Sequence, residues 1–311
     1  MIGFFYIFKT AEYFLIYFLV VNYVRDEKQI RQFLFFALLT ACLLGLYTLP
    51  QIPHQTEIFS THRITAPFEG TPEPGTVGGY MAFLLLITIS LFLYERRPKV
   101  KWAYALLTVL IFLPFVMTLN RTSYAAFIGG VVVMALLSRN KVLLFLLVGF
   151  LACSPLWAPQ SVKERIAFTW EDAKNPGRTM GVDFSLQERV MVYRRMWGGV
   201  KKNPLIGLGV TSWQTSDSQW ARTFHEIGAI GLGLWIWIFL RLFRISRWLF
   251  NHIDQGVTKG LALGYAAAMI GLIIHGFGNI TFYVVRIMEP FWFITGLVVS
   301  LYNVRCGYTD N

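Results

Sequence analysis

Thr76-Val-Gly-Gly-Tyr-Met-Ala-Phe-Leu-Leu-Leu-Ile-Thr-Ile-Ser-Leu-Phe-Leu-Tyr94 runs for 19 residues without a charge, between Glu73 and Glu95. A bilayer core about 30 Å thick takes roughly 20 apolar residues of helix, so this stretch is long enough to cross it. With no water in the hydrocarbon layer to satisfy backbone groups, such a run is a helix rather than a strand. Working outward, the same reading places spans at Ile2–Asn22, Gln32–Leu49, Trp102–Leu119, Thr122–Ser138 and Val142–Trp157, then at Gly228–Phe243, Leu261–Gly278 and Met288–Asn303. The composition agrees, with 55% of the 311 residues hydrophobic and 14% charged. The fold class is therefore all-α: a polytopic membrane helix bundle of about nine transmembrane helices. The first span is too long, and too quickly followed by others, to be a cleaved signal peptide.

One large interruption breaks the pattern. Ala158–Ile227 is mostly polar and carries ten of the 28 Lys and Arg. The chain divides accordingly into a six-span membrane half (1–157), a large external loop with the catalytic motifs (158–227), and three spans with a cytoplasmic tail (228–311). The connectors Arg25–Arg31, Glu95–Lys101, Ser138–Lys141 and Arg241–Lys259, with the tail after Asn303, hold 14 Lys and Arg. The opposite short connectors hold one each, Arg63, Arg121 and Arg286. The positive-inside rule makes the first set cytoplasmic. The N-terminus, the Pro50–Gly75 loop and the large loop then face outward. An outward N-terminus with no signal ahead of it implies an odd number of missing preceding helices, or a chain that starts late relative to its relatives.

Several function classes lose support. Half of the positive charge behind the net +11 sits in orienting connectors, so nucleic-acid binding is not implied. Cys42, Cys153 and Cys306 have no pairing or metal spacing, and they read as lipid-facing or packing residues. His54, His62, His225, His252 and His275 form no metal-binding pair on one helix face, which argues against a metal site. No Gly-rich phosphate loop is present. A transporter would carry intramembrane charge and broken helices, whereas Lys9, Glu12 and Arg241 read as lying near span ends.

The large loop has internal order. Ser161-Val-Lys-Glu164 and Ser185-Leu-Gln-Glu188 fit capping boxes that start helices. Leu186, Val190, Tyr193, Trp197 and Val200 then recur at helical spacing, as one face of an amphipathic helix on the membrane surface. Arg189, Arg194 and Arg195 project from that helix. Asn203-Pro-Leu-Ile-Gly-Leu-Gly209 ends it and turns the chain. Asp217-Ser-Gln-Trp-Ala-Arg-Thr-Phe-His-Glu-Ile-Gly228 runs into the next span.

The order Arg189, Trp197, Asn203-Pro204, Gly207-Leu-Gly209, Asp217-Ser218, Arg222, Glu226-Ile-Gly228 and Ile230-Gly231 resembles the signature of the bacterial O-antigen ligase and O-antigen polymerase superfamily. Asn120-Arg121-Thr-Ser-Tyr124, Arg63-Ile-Thr-Ala-Pro-Phe68 and Gly78-Gly-Tyr80 are similar to further steps of these proteins, and the resemblance runs from about Glu12 to Tyr302. Members usually have more than nine spans, in line with the missing-helix reading.

The resemblance implies metal-independent glycosyl transfer from an undecaprenyl-pyrophosphate donor at the outer face of the bacterial cytoplasmic membrane, with no cofactor. It implies as partners the lipid-linked oligosaccharide, a glycan acceptor, the bilayer, and chain-length regulator and flippase proteins. Guanidinium groups suit the pyrophosphate, because they bind it through forked hydrogen bonds and stay charged. On the family pattern Arg121 and Arg189 take this role, and Arg194, Arg195 and Arg222 are further substrate-binding candidates. The bland alternatives are a snorkelling anchor for Arg121 and a headgroup-facing helix surface for the loop arginines.

Ligases of this superfamily generally carry a catalytic His where this chain has Asp217, and polymerase-like members often show Asp-Ser followed by an aromatic and Arg, as in Asp217-Ser-Gln-Trp-Ala-Arg222. That favours polymerase over ligase. Asp217 is either the base or the cap of the following helix. His225 is either the base or half of a structural pair with Glu226. Glu226 either orients one of them or forms a capping box with Thr223.

Overall fold

The computed structural model describes residues 2–54, 64–67, 73–153, 156, 162–163, 193–194, 196–201, 203–212 and 218–307. Among these there is no strand, and nine α-helices follow in order. They are α1 (Ile2–Tyr23), α2 (Glu27–Thr48), α3 (Pro74–Tyr94), α4 (Pro98–Met117), α5 (Arg121–Ser138), α6 (Lys141–Ala152), α7 (Gln219–His252), α8 (Val257–His275) and α9 (Val285–Cys306). Eight are long and apolar enough to cross a membrane. The exception is α6, whose 12 residues span only about 18 Å; it stops shortly before Pro155, which cannot continue a helix. Helices α2 and α4 start four to five residues before the apolar windows, because their first turns are polar. Asp26 caps α2, and Pro98 takes the first position of α4.

Burial sorts the helices. In α3 and α8, 78% of the span residues are buried, against 11% in α1. α8 packs against both α3 and α5, and α1 lies along α9. The approach to α3 is close because α8 is rich in Gly and Ala: a Cβ on Gly260 would sit 3.0 Å from the Leu91 Cα, and one on Gly264 2.9 Å from the Ile87 Cα. Lipid tails supply no hydrophobic drive between helices, so this small-residue contact is a main source of cohesion. Phe4, Phe5, Phe8, Leu15, Phe145 and Trp237 face outward, as lipid-facing side chains do.

Charge in α1 needs a correction. Lys9 and Glu12 are not near its end: Glu12 is midway along Ile2–Tyr23, and both side chains are exposed. The helix has nearly the bounds expected from the sequence, Ile2–Asn22, so the mid-span position of Glu12 follows from those bounds.

Candidate functional site

One end of the bundle is organised by a kink in α7. Gly228 has φ 64° and ψ −166°, inside what is otherwise one continuous helix. This conformation belongs almost exclusively to glycine. The kink frees backbone groups that the 204–209 turn then takes up. Leu208 N donates to His225 O (2.9 Å) and Gly209 N to Glu226 O (3.0 Å). In return Ala229 N donates to Pro204 O (3.0 Å) and Ile230 N to Leu205 O (3.1 Å). Gly207 (φ 79°) and Gly209 (φ 94°) let the turn run this close.

The turn of α7 before the kink carries Arg222, His225 and Glu226, all buried. Glu226 Oε1 accepts from Arg222 Nε (3.0 Å) and Thr211 N (3.1 Å), and Oε2 accepts from the Tyr283 hydroxyl (2.7 Å). The Arg222 guanidinium lies over the Tyr283 ring at 4.4 Å and the Tyr6 ring at 5.5 Å. Burial, and then the Glu226 charge, hold the Tyr283 hydroxyl above the ordinary tyrosine value, so it stays a donor. His225 Nδ1 is 3.2 Å from Ser212 Oγ, and its ring packs on Gly199. The helix cap is Ser218, whose Oγ accepts from Ala221 N. Glu226 therefore serves an ion pair inside α7 rather than a capping box with Thr223.

A polar network continues inward between α3, α5 and α8. Asn120 Oδ1 accepts from Ser123 N (2.9 Å) and Ser123 Oγ (3.1 Å), capping α5. The fully buried His275 has Nε2 3.2 Å from Ser123 Oγ and Nδ1 2.8 Å from Thr281 Oγ1. Gln219 Oε1 accepts from Thr281 N (3.1 Å) and Phe282 N (2.9 Å), tying α7 to the α8–α9 turn. The start of α3 admits these groups because it is glycine-rich: a Cβ on Gly79 would meet His275 at 2.7 Å, and one on Gly78 would meet Ser123 Oγ at 2.4 Å.

Arg121 opens α5 beside its cap Asn120 and is half-buried. Arg194 is exposed on helical backbone. Asp217, Arg189 and Arg195 lie outside the described residues, as do Ser161, Ser185 and Glu188 of the two capping boxes. Of the amphipathic stripe, Leu186 and Val190 lie outside the described residues. Trp197 is 57% exposed and Tyr193 37%, while Met196 and Val200 are buried with Ala221. His275, Gln219 and Tyr283 escape the sequence reading. The signal in the sequence is the polar run Asn279-Ile-Thr-Phe-Tyr283 between two spans, four residues after His275. Among the described residues no group of three His, Cys, Asp or Glu could hold a metal ion.

Beside Arg222 lies a cavity of about 700 Å³, with Lys9, Glu73, Asn279, Tyr283 and Arg286 in its wall.

Residues 106–236 match the O-antigen ligase family. The matched stretch runs from α4, through Arg121 and the large loop, past the Gly228 kink. It supports the O-antigen ligase and polymerase superfamily, whose members are glycosyltransferase-like enzymes. No curated protein matches the chain.

Proposed function

We propose that this protein is an inverting, metal-independent glycosyltransferase that polymerises undecaprenyl-pyrophosphate-linked repeat units of a surface polysaccharide at the periplasmic face of the inner membrane. The observation that carries glycosyl transfer is the O-antigen ligase family match over 106–236, within which every site residue singled out in the sequence falls, and Asp217-Ser218 in place of the ligase His favours polymerase. In the reaction, the bond between the sugar anomeric carbon and the pyrophosphate oxygen breaks. The acceptor hydroxyl oxygen forms the new bond on the opposite face. Its proton passes to a base, and polyprenyl pyrophosphate leaves with the bonding pair.

The chain's residues divide the work. Arg121 and Arg189 neutralise the departing pyrophosphate, with Arg194 and Arg195 in support; fixed cations aimed at developing charge are typically the largest catalytic term. Asp217 takes the hydroxyl proton. The pair of Arg222 and Glu226, locked by Tyr283 and by the Thr211 amide, holds the outer turn of α7 against the 204–209 turn. That arrangement supports a positioning role for both, since buried partners fix each other's rotamers.

Ligation to a lipid A-core acceptor is the second reading, favoured by the description of the matched family as O-antigen ligase. Purified protein given lipid-linked repeat units as sole substrate separates the two. A ladder of lengthening glycans is expected. Product formation only after addition of a lipid A-type acceptor would establish the ligase.

A further inference from the structure

Leu119 has φ 52°, a left-handed backbone conformation that a residue with a side chain keeps only where its surroundings hold it. It lies in the turn from α4 into α5, and the next two residues are Asn120 and Arg121. Asn120 is gripped from two elements. Its Oδ1 accepts from Ser123 N and Oγ on α5, and Asn279 Nδ2 reaches the same oxygen at 3.4 Å from the α8–α9 turn. Behind both stands His275, with Nε2 3.2 Å from Ser123 Oγ and 3.3 Å from Asn279 Nδ2. Its Nδ1 is 2.8 Å from Thr281 Oγ1, and Thr281 N donates in turn to Gln219 Oε1 at the start of α7. We propose that His275 is a positioning residue for glycosyl transfer: it holds Asn120, and through it the Leu119–Arg121 turn, so that the Arg121 guanidinium is aimed at the donor pyrophosphate. The proposal rests on the donor role given to Arg121 above.

Glycine placement sets this network apart from ordinary helix cohesion. At Gly260 and Gly264 an added Cβ would strike the backbone of α3, so glycine there brings two helices together. At Gly75, Gly78 and Gly79, which share one face of α3, the nearest atoms are side chains of the network instead: Asn279 and Asn120, then Ser123, then His275. That face of α3 makes room for polar groups rather than for a neighbouring backbone. Neither His275 nor Ser123, Asn120 or Thr281 leaves a buried polar atom without a partner. A closed buried network of this kind fixes one orientation for each member.

His275 is fully buried, so it acts through Asn120 and not on substrate. With a partner on each ring nitrogen, the imidazole transmits position: the Thr281 arm fixes the ring against the α8–α9 turn, and the Ser123 arm carries that placement to the cap of α5. A cation stabilises departing charge only when it is aimed before the bond breaks, and a misplacement of about 1 Å can cost about a hundredfold in rate.

The test titrates undecaprenyl pyrophosphate, as probe, against the whole protein in phosphatidylcholine nanodiscs. Ser123→Ala and Thr281→Val cut opposite arms of His275, and each removes one hydroxyl with little change of shape. Each is expected to raise Kd about tenfold, within the coupling range of residues in one hydrogen-bond network. Arg121→Ala should by itself raise Kd about tenfold or more, the loss of one charge-assisted bond. In the Arg121→Ala protein the same two changes should then alter Kd by less than about twofold, because nothing is left to aim. Equal factors in both backgrounds, with melting temperatures lowered in step, would show a structural role and overturn the positioning role. Wild-type Kd in Ser123→Ala and in Thr281→Val would overturn it too, while weakened binding in Arg121→Ala would leave the donor reading standing. Wild-type Kd in Arg121→Ala would remove the donor role of Arg121 and this proposal with it, so the two failures stay distinguishable.

Discussion

Gly207 and Gly228 meet backbone to backbone: a Cβ on Gly228 would lie 2.6 Å from the Gly207 nitrogen, and one on Gly207 2.7 Å from the Gly228 nitrogen. Real Cβ atoms do not come this close, and both residues have positive φ. The pair is where the 204–209 turn locks onto the kink of α7. Everything that the kink presents, from Arg222 to Glu226, depends on it.

Gly228→Ala therefore meets two penalties. The Gly-only backbone conformation costs about 1–3 kcal/mol for a residue with a side chain, and the methyl would lie 2.4 Å from Leu205 O. A large fall in thermal stability in detergent is expected, with loss of activity. Gly233→Ala is the control: it lies further along the same helix with nothing within 4 Å of the added methyl, and alanine favours helix by about 0.5–1 kcal/mol. Equal melting temperatures for both variants would show that the kink is dispensable.

The ion pair inside α7 makes a second prediction. The Arg222 and Glu226 side chains are 6% and 0% exposed. Glu226→Ala leaves a buried guanidinium uncompensated, at a cost of about 3–5 kcal/mol. Tyr283→Phe removes one donor and should cost about 1–3 kcal/mol. The double variant Arg222→Met/Glu226→Leu should regain much of the stability without regaining activity. Melting curves and product ladders of the three variants check this, and an active double variant would reduce the pair to packing.

These contacts mark where the sequence becomes silent. Spans such as Thr76–Tyr94 were readable because crossing a bilayer demands length and apolarity, and both are local properties of the chain. Gly207 as a turn residue also follows local rules, whereas the cap of α7 is Ser218, one residue past the Asp217 that the sequence offers. The Tyr283 bond to Glu226 links positions 57 residues apart, and no local rule ties a tyrosine between two spans to a glutamate before another. His275 shows the same limit: its partner Ser123 is 152 positions away.

Topology is checked by fusion. By the positive-inside rule, the 14-to-3 distribution of Lys and Arg over the short connectors predicts that the large loop lies outside. A reporter active only outside the cytoplasm should work after Asn175 and fail after Glu95. The reverse result would invert the protein and remove its access to substrates on the outer face.

Arg121 tests the role of charge at the α5 entrance. Arg121→Ala and Arg189→Ala should each abolish detectable polymer at normal protein level, since loss of one preorganised donor typically costs about a hundred- to a thousandfold in rate. Lysine at either position should restore only part, because it offers a point charge instead of a fork. Full activity of Arg121→Ala would leave that residue as a helix anchor.

The proton acceptor is decided by Asp217 against His225. Asp217→Asn keeps the side-chain shape and removes the charge, and the cap of α7 is supplied by Ser218. Structural damage should therefore be small. A positioned base contributes about a hundred- to ten-thousandfold to rate, whereas loss of a helix cap costs only about 1 kcal/mol of stability. His225 faces Ser212 Oγ at 3.2 Å and packs on Gly199, so His225→Gln should disturb packing more than chemistry. With lipid-linked repeat units as sole substrate, Asp217→Asn should give single units at an unchanged melting temperature. His225→Gln should keep part of the ladder at a lowered one. A full ladder from Asp217→Asn with none from His225→Gln would transfer the base to His225, and would require the imidazole to leave Ser212 when substrate binds.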